Sequence, residues 1–270
     1  MNPKTILLCT LATFLSFDAP AADEMNVAAK KIYNEKKDSV VMVSAIAKLS
    51  FTGSGASDAP VNIPDKESKV EALGTIVDAS GLVVTVLEQI DPSRSISGRT
   101  VPTAKGPVKI EASSTIKEVK VIMADGTEIP AEIVMKDADL DLAFIRIKTD
   151  SKEAKGLTFQ AVDLKSSGKG DVMDEIVTLA RTDEGMNRAS VVMRGQINMI
   201  TKTPRTFLRG GGATAGCPTF LADGKLLGIT TGHSMPGKNA SAAVIIPAAD
   251  VLEIAEQAKN AKPPVGGNGG

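Results

Sequence analysis

The sequence predicts an all-β protein, a barrel or a sandwich, and three observations carry that expectation. Three segments repeat one pattern, an apolar run, a tight turn ending in glycine, and a second apolar run: residues 73–81 into 82–86, 119–126 into 127–135, and 219–224 into 225–230. The turns hold Asp78 and Gly81, Asp125 and Gly126, and Asp223 and Gly224. Glycine accepts the positive φ of a tight turn, so this pattern signals hairpins. Further short apolar runs stand at 142–147, 175–180 and 190–200, and many short strands at this spacing suit barrels and sandwiches. With no Trp and one Tyr, Tyr33, the core must rest on Val, Ile, Leu and Met, a composition that favours pleated surfaces.

Residues 1–22 read as a signal peptide. Lys4 supplies the charge, residues 5–17 a short apolar stretch, and Ala19, Pro20, Ala21 and Ala22 a small-residue cleavage site. The stretch is shorter than the roughly 20 residues of a membrane span, so no stable span is expected after its removal. An uncleaved interfacial anchor is the other reading. Residues 23–38 are expected to hold a short amphipathic helix, with Val27, Ala28, Ile32 and Tyr33 on one face. A strand opens at Ser39, and residues 51–67, rich in Gly, Ser, Asp and Pro, read as a surface loop. Residues 39–150 and 151–260 form two halves, joined through a Lys-, Ser- and Gly-rich stretch at 150–171. The second half ends in a helix after Pro247, lined by Val251, Ala255 and Ala258, and the tail 261–270 has no means of packing.

Several function classes fall away. Net charge is −1 and Lys and Arg are scattered, without the basic stripe that phosphate neutralisation needs. Nucleic-acid binding is therefore not expected. The single histidine, His233, and the one cysteine left after signal removal, Cys217, cannot build a zinc site, nor can one thiol make an internal disulfide. Gly210, Gly211 and Gly212 do not follow a strand into a helix as a phosphate loop does and read as plain flexibility. No cofactor and no metal are expected.

Five pieces in order then resemble one family. Ser39 to Val43 resembles an opening strand. Gly74 to Thr85 resembles the hairpin leading to a catalytic histidine. Met123 to Gly126 with Asp137 to Ile145 resembles the stretch holding a catalytic aspartate. Thr214 to Pro218, Asp223-Gly224 and Gly228 to Thr230 resemble a nucleophile loop and the strand after it. Ile245-Ile246-Pro247 resembles the end of the domain. Together they resemble the HtrA/Deg-type branch of the chymotrypsin-fold, or trypsin-like, serine proteases, from about Ser39 to Glu256, which is nearly all of the chain left after signal removal. The resemblance implies two six-stranded antiparallel β-barrels, the first in 39–150 and the second in 151–260, with a short N-terminal and a C-terminal helix.

The resemblance fails where the chemistry sits. The family reads Thr-x-x-His-Val, whereas this chain has Thr85, Val86, Leu87, Glu88, Gln89. The family reads Gly-Asn-Ser-Gly-Gly-Pro, whereas this chain has Ala213, Thr214, Ala215, Gly216, Cys217, Pro218. Glu88 and Ala215 thus stand at the histidine and serine positions, and only Asp141 keeps its place. Serine attacks the carbonyl and histidine carries its proton; in a working serine protease, loss of either costs about 10⁶ in turnover. The backbone N–H groups of Ala213 and Ala215 are candidates for an oxyanion-type site. Cys217 is a candidate alternative nucleophile with His233 as its base, against the blander reading of a small buried hydrophobe and an exposed turn histidine. Asp141 reads as a structural acceptor for backbone N–H groups, and Glu88 as partly solvated. Residues 91–113 read as an insertion able to cover the cleft.

The resulting expectation is an exported pseudoprotease, periplasmic or extracellular, that binds extended peptide or unfolded protein segments along a strand edge. An active hydrolase using Cys217 and a purely structural interaction protein are the alternatives, and oligomer formation stays open.

Overall fold

A computed structural model describes residues 23–55, 60–104, 106–234 and 241–262. The expected signal peptide at 1–22 and most of the expected tail lie outside these residues. The chain runs α1 (Glu24–Lys36), β1 (Val40–Ser54), β2 (Pro60–Asp78), β3 (Leu82–Val86), α2 (Leu87–Ile90), α3 (Ser93–Ile96), β4 (Thr100–Thr103), β5 (Gly106–Ile122), β6 (Glu128–Asp137) and β7 (Leu142–Ile147). It continues through β8 (Glu175–Arg181), β9 (Ser190–Thr201), β10 (Phe207–Gly210), β11 (Pro218–Leu221), β12 (Leu226–Ser234), β13 (Ser241–Pro247) and α4 (Ala248–Asn260).

The hairpin turns form as their sequences dictate. Gly81, Gly126 and Gly224 take φ of +87°, +86° and +85°. In each turn the aspartate carboxylate accepts the backbone N–H two residues on, from Ser80, Thr127 and Lys225, the local bond that makes Asp a turn former. All pairings between named strands are antiparallel. β1-β2-β3-β7-β6-β5 close into one barrel through the β1–β5 pairing, and β10-β13-β12-β11-β8-β9 close into a second. The fold is the all-β pair of six-stranded barrels that the resemblance implies.

Three cores follow from strand alternation. Val41, Val43, Ile76, Val83, Val121 and Ile145 fill the first barrel, and Ile176, Ile197, Leu208, Leu227 and Ile245 fill the second. The opposite faces of the same strands, with Leu82, Val84, Phe144, Val177, Leu179, Phe220 and Ile229, meet in a shared layer completed by α1 and α4. This two-sided burial is why β3 is buried at every position and why these strands read as unbroken apolar runs. Val162 and Leu164 of the 150–171 stretch are buried in the same layer, so this connection is packed along its middle.

Buried and half-buried arginines tie the parts together. Arg181 in β8 donates to the Val40 and Lys37 carbonyls and reaches Asp38 at 3.3 Å, fixing the second barrel to the start of β1. Arg146 in β7 donates to the carbonyls of Ala258, Lys259 and Ala261 at 2.9, 3.0 and 3.2 Å, capping the open C-terminal end of α4. Lys259 adds a 2.7 Å ion pair to Asp78. Burial works to raise the Asp78 carboxyl, but Lys259 and Ser80 outweigh it and hold the group at about 2.

Several expectations need correction. Residues 51–67 are largely strand, because β1 extends to Ser54 and β2 begins at Pro60. The 91–113 stretch holds α3, β4 and the first part of β5. Together these strands form a ribbon with β1 at its centre, paired to β2 and β5, and β4 outside β5. At about 3.3 Å per residue it carries β1 roughly 25 Å past the barrel. The register sets Phe51 opposite Ile63 and Ala112, and Gly53 opposite Ile110, leaving Thr52, Lys109 and Glu111 on the other face. Pro60, Pro64 and Pro102 sit on the outer strands, where a missing N–H interrupts no ladder, and they disguise the alternation. In α1 the buried face is Met25, Ala29 and Ile32, and Val27 is 58 % exposed. The glycine run is closely packed: a Cβ on Gly210 would lie 2.4 Å from Ile176, and one on Gly195 would lie 2.2 Å from the Gly211 carbonyl. His233 lies in β12, paired with Ala242, not in a turn.

Arg146→Ala removes three charge-assisted bonds that anchor α4. We expect a loss of about 2–3 kcal/mol in urea unfolding, with faster amide exchange over 255–260. Unchanged exchange there would show that apolar packing alone holds the helix.

Candidate functional site

Three segments converge where the barrels meet. The end of β3 turns into α2, which carries Glu88. The turn before β7 carries Asp141. The loop between β10 and β11 carries Ala213, Ala215 and Cys217. Asp141 has φ +55°, a left-handed conformation that aspartate accepts more readily than most residues. Its carbonyl accepts the Leu87 N–H at 2.9 Å, and its Oδ1 accepts the Glu88 N–H at 2.9 Å. The Thr231 hydroxyl of β12 donates to the Leu140 and Asp141 carbonyls at 3.0 and 3.2 Å.

The nucleophile-position loop is clamped across the barrels. Thr75 of β2 donates its hydroxyl to the Gly216 carbonyl at 2.7 Å. Gly216 donates its N–H to the Thr230 carbonyl at 2.8 Å, and Thr230 donates its own to Cys217 at 3.0 Å. Gly216 has φ +81°, and a Cβ there would stand 2.0 Å from the Leu73 carbonyl, so only glycine fits. The structure therefore joins Glu88 directly to Asp141 and ties the Ala215 loop to them through Gly216, Thr230 and Thr231; Glu88 and Ala215 are half-buried and Asp141 buried.

The electrostatics centre on Asp141, which is 8 % exposed. Its Oδ2 is buried and makes no hydrogen bond among the described residues. In a catalytic triad the aspartate accepts the ring N–H of histidine; residue 88, being glutamate, brings no such donor. Arg94 of α3 lies with its Nε 3.8 Å from Asp141 Oδ1, beyond hydrogen-bond range, and donates to the Ala138 carbonyl at 3.3 Å. Burial pushes the Asp141 carboxyl up to about 6, against the lowering effects of the Glu88 N–H and Arg94 and with the help of the Glu88 charge.

Arg94 is a site residue the sequence did not disclose. Its placement depends on Asp91, whose Oδ1 accepts from the Ser93 and Ser114 hydroxyls and whose Oδ2 lies 3.6 Å from Lys136. These bonds pin the start of the 91–113 stretch beside the site. Serine, aspartate and arginine in a polar segment carry no periodic signal.

Cys217 and His233 are not brought together. Cys217 is fully buried in the layer between the barrels, and desolvation pushes its thiol far above the ordinary range. Its carbonyl meets Thr230, so His233 stands three residues farther along β12, about 10 Å away. The N–H groups of Ala213 and Ala215 donate to no protein acceptor among the described residues. β12 is paired on both sides at Gly228 and Ile229; farther on, β13 is its one strand neighbour among the described residues. Thr230 turns its N–H and C=O towards residues 216 and 217, so the period of two presents those of Gly232 to the same open side. Among the described residues no three His, Cys, Asp or Glu side chains converge as metal ligands, and no helix is long and apolar enough to cross a membrane.

Two closed six-stranded antiparallel barrels packed side by side define a chymotrypsin-type protease scaffold. The chain belongs to the trypsin-like peptidase domain family, whose model matches residues 72–229. It is 28 % identical over 144 residues to a probable periplasmic serine endoprotease, DegP-like, of Bartonella henselae, covering 51 % of this chain and 27 % of that protein. The chain thus matches about a quarter of that relative's length. The MamO protease domain of Magnetospirillum magneticum, in its apo form, superposes with a TM-score of 0.50 at 19 % identity, covering 82 % of this chain and 98 % of that domain, a likeness in fold.

The Asp141 carboxyl yields a pH prediction. Its folded value of about 6 lies above the ordinary 3.8, so the native state holds this proton more tightly than the unfolded chain. Stability is therefore lost as pH rises from about 4 to 6, by up to about 3 kcal/mol. Asp141→Asn escapes this loss. Its stability relative to the parent should rise between pH 4 and 6.5 in urea titrations and level off above. Parallel curves for the two proteins would refute the assignment.

Proposed function

We propose that the chain is a pseudoprotease that holds extended peptide or unfolded protein segments without cutting them. The observation that carries this reading is the state of the junction. The scaffold and Asp141 are retained, while Ala215 offers no nucleophile and Glu88 no imidazole. A peptide laid along β12 would pair its backbone with Gly232, each bond worth about 0.5–1.5 kcal/mol net. The unpaired N–H groups of Ala213 and Ala215 would meet a peptide carbonyl that nothing then attacks.

Cys217 does not supply a substitute in this reading. A catalytic thiolate needs exposure and a nearby base, and a thiol buried within the apolar layer has neither. Export is part of the proposal: residues 1–22 have the pattern of a signal peptide, and the DegP-like relative is described as periplasmic.

The test incubates the purified protein with an unfolded protein for a day and reads fragments by mass spectrometry, beside Cys217→Ala and the double variant Glu88→His/Ala215→Ser. The parent should yield no fragments yet bind a fluorescent unfolded peptide by anisotropy. The double variant, with serine and histidine restored beside Asp141, should cleave at least 10²-fold faster than the parent, a part of the roughly 10⁶ at stake. Cleavage by the parent that vanishes in Cys217→Ala would make the thiol the nucleophile and overturn the proposal.

A further inference from the structure

We propose that the Asp141–Glu88 pair is a binding site for a cationic N–H donor, an ammonium or guanidinium group such as a basic side chain of a bound peptide, and that Arg94 is its built-in competitor. The inference deepens the peptide-binding reading and rests on it for the source of the ligand, though not for the chemistry of the site.

Asp141 Oδ2 is a buried acceptor without a donor among the described residues. A buried carboxylate oxygen left unpaired costs free energy that one hydrogen bond recovers. Oδ1 is already committed to the Glu88 N–H, so Oδ2 is the oxygen open to a ligand. The surrounding elements do not supply the missing donor. From β12, the Thr231 hydroxyl is spent on two carbonyls. From the turn before β7, Asp137 accepts the N–H groups of Asp139 and Leu140, and Asp139 adds negative charge. From α2, Glu88 brings a second carboxylate whose charge reaches Asp141. From α3 comes the one guanidinium within 4 Å of the Asp141 carboxylate among the described residues, that of Arg94.

Arg94 neutralises the pair poorly. Its Nε stands 3.8 Å from Oδ1, the side chain is 35 % exposed, and its hydrogen bond runs to the Ala138 carbonyl at 3.3 Å. An incoming ammonium has three donors on a compact head; because Oδ2 is buried, its approach to hydrogen-bond distance requires Arg94 or another neighbouring side chain to move aside. The carboxyl's raised affinity for a proton fits an acidic group short of a cationic partner. Two carboxylates against one loosely held guanidinium select a cation over an anion.

The experiment titrates the ¹⁵N-labelled protein with n-butylammonium, with methylguanidinium and with tetraethylammonium, a cation lacking N–H, at constant ionic strength. The amides of Glu88, Asp141 and Leu142 report binding. The first two cations should give saturable shifts at these amides and tetraethylammonium none. Asp141→Asn should weaken binding at least tenfold, and Arg94→Ala should strengthen it at least threefold; the spectra of both variants report that they are folded. Absence of saturation in the parent and in Arg94→Ala, equal response to tetraethylammonium, or weaker binding in Arg94→Ala would overturn the inference. The last result would mark Arg94 as a residue that supports the site and not as a competitor for it. Two peptides that differ by a lysine or its acetylated form separate this inference from the broader one. Peptide binding indifferent to acetylation leaves the peptide-binding reading standing and removes this one. Amine binding without any peptide binding does the reverse.

Discussion

The apolar layer between the two barrels is the constraint on which the molecule depends. Each barrel has its own interior, but that of the second is small, resting on five buried aliphatic residues. The outward faces of β3, β7, β8, β11 and β12 are as apolar as the inward ones, and neither barrel could expose them to water alone. Docking the barrels buries both faces, and α1 and α4 seal the margins. The junction where a protease would work is the rim of this layer. Its geometry is set by backbone groups and threonine hydroxyls and does not depend on the side chains of Glu88 and Ala215.

Asp141 shows how a residue can have work in the fold apart from chemistry. Its Oδ1 satisfies an N–H at the start of α2, and its carbonyl accepts from Leu87 and Thr231. These contacts join the first barrel to β12. The other carboxylate oxygen carries the cost, a buried acceptor without a donor among the described residues. The residue is thus well placed by its backbone and poorly served at one atom, and that imbalance makes the site chemically interesting.

The parts legible in the sequence are those governed by local rules. Asp78, Asp125 and Asp223 announce their turns because an aspartate two residues before a free N–H bonds it wherever it occurs. β7 is legible from its apolar run Leu142 to Ile145, which is buried on both faces, and α4 because Val251, Ala255 and Ala258 recur at helical spacing. The ribbon is not legible. Its alternation around Phe51, Ile63 and Ile110 is interrupted by glycine and proline, and its pairing joins residues about 60 apart, as in Phe51 with Ala112. The face of α1 departs from its apolar pattern because Val27 is more apolar than Ala29, yet tertiary packing selects Ala29. Arg94 is invisible for a further reason: its role comes from Asp91, Ser93 and Ser114 meeting across two elements, which no short window contains.

The buried position of Cys217 gives the molecule a native clock. With export as proposed, the chain meets oxidants and other thiols, and an accessible cysteine would invite mixed disulfides between molecules. Here the sulfur lies inside the layer that holds the barrels together, so reagent can reach it only when that layer parts. The rate at which a thiol reagent labels Cys217 therefore reports barrel separation, distinguishing an opening of the junction from fraying of the ribbon or the termini.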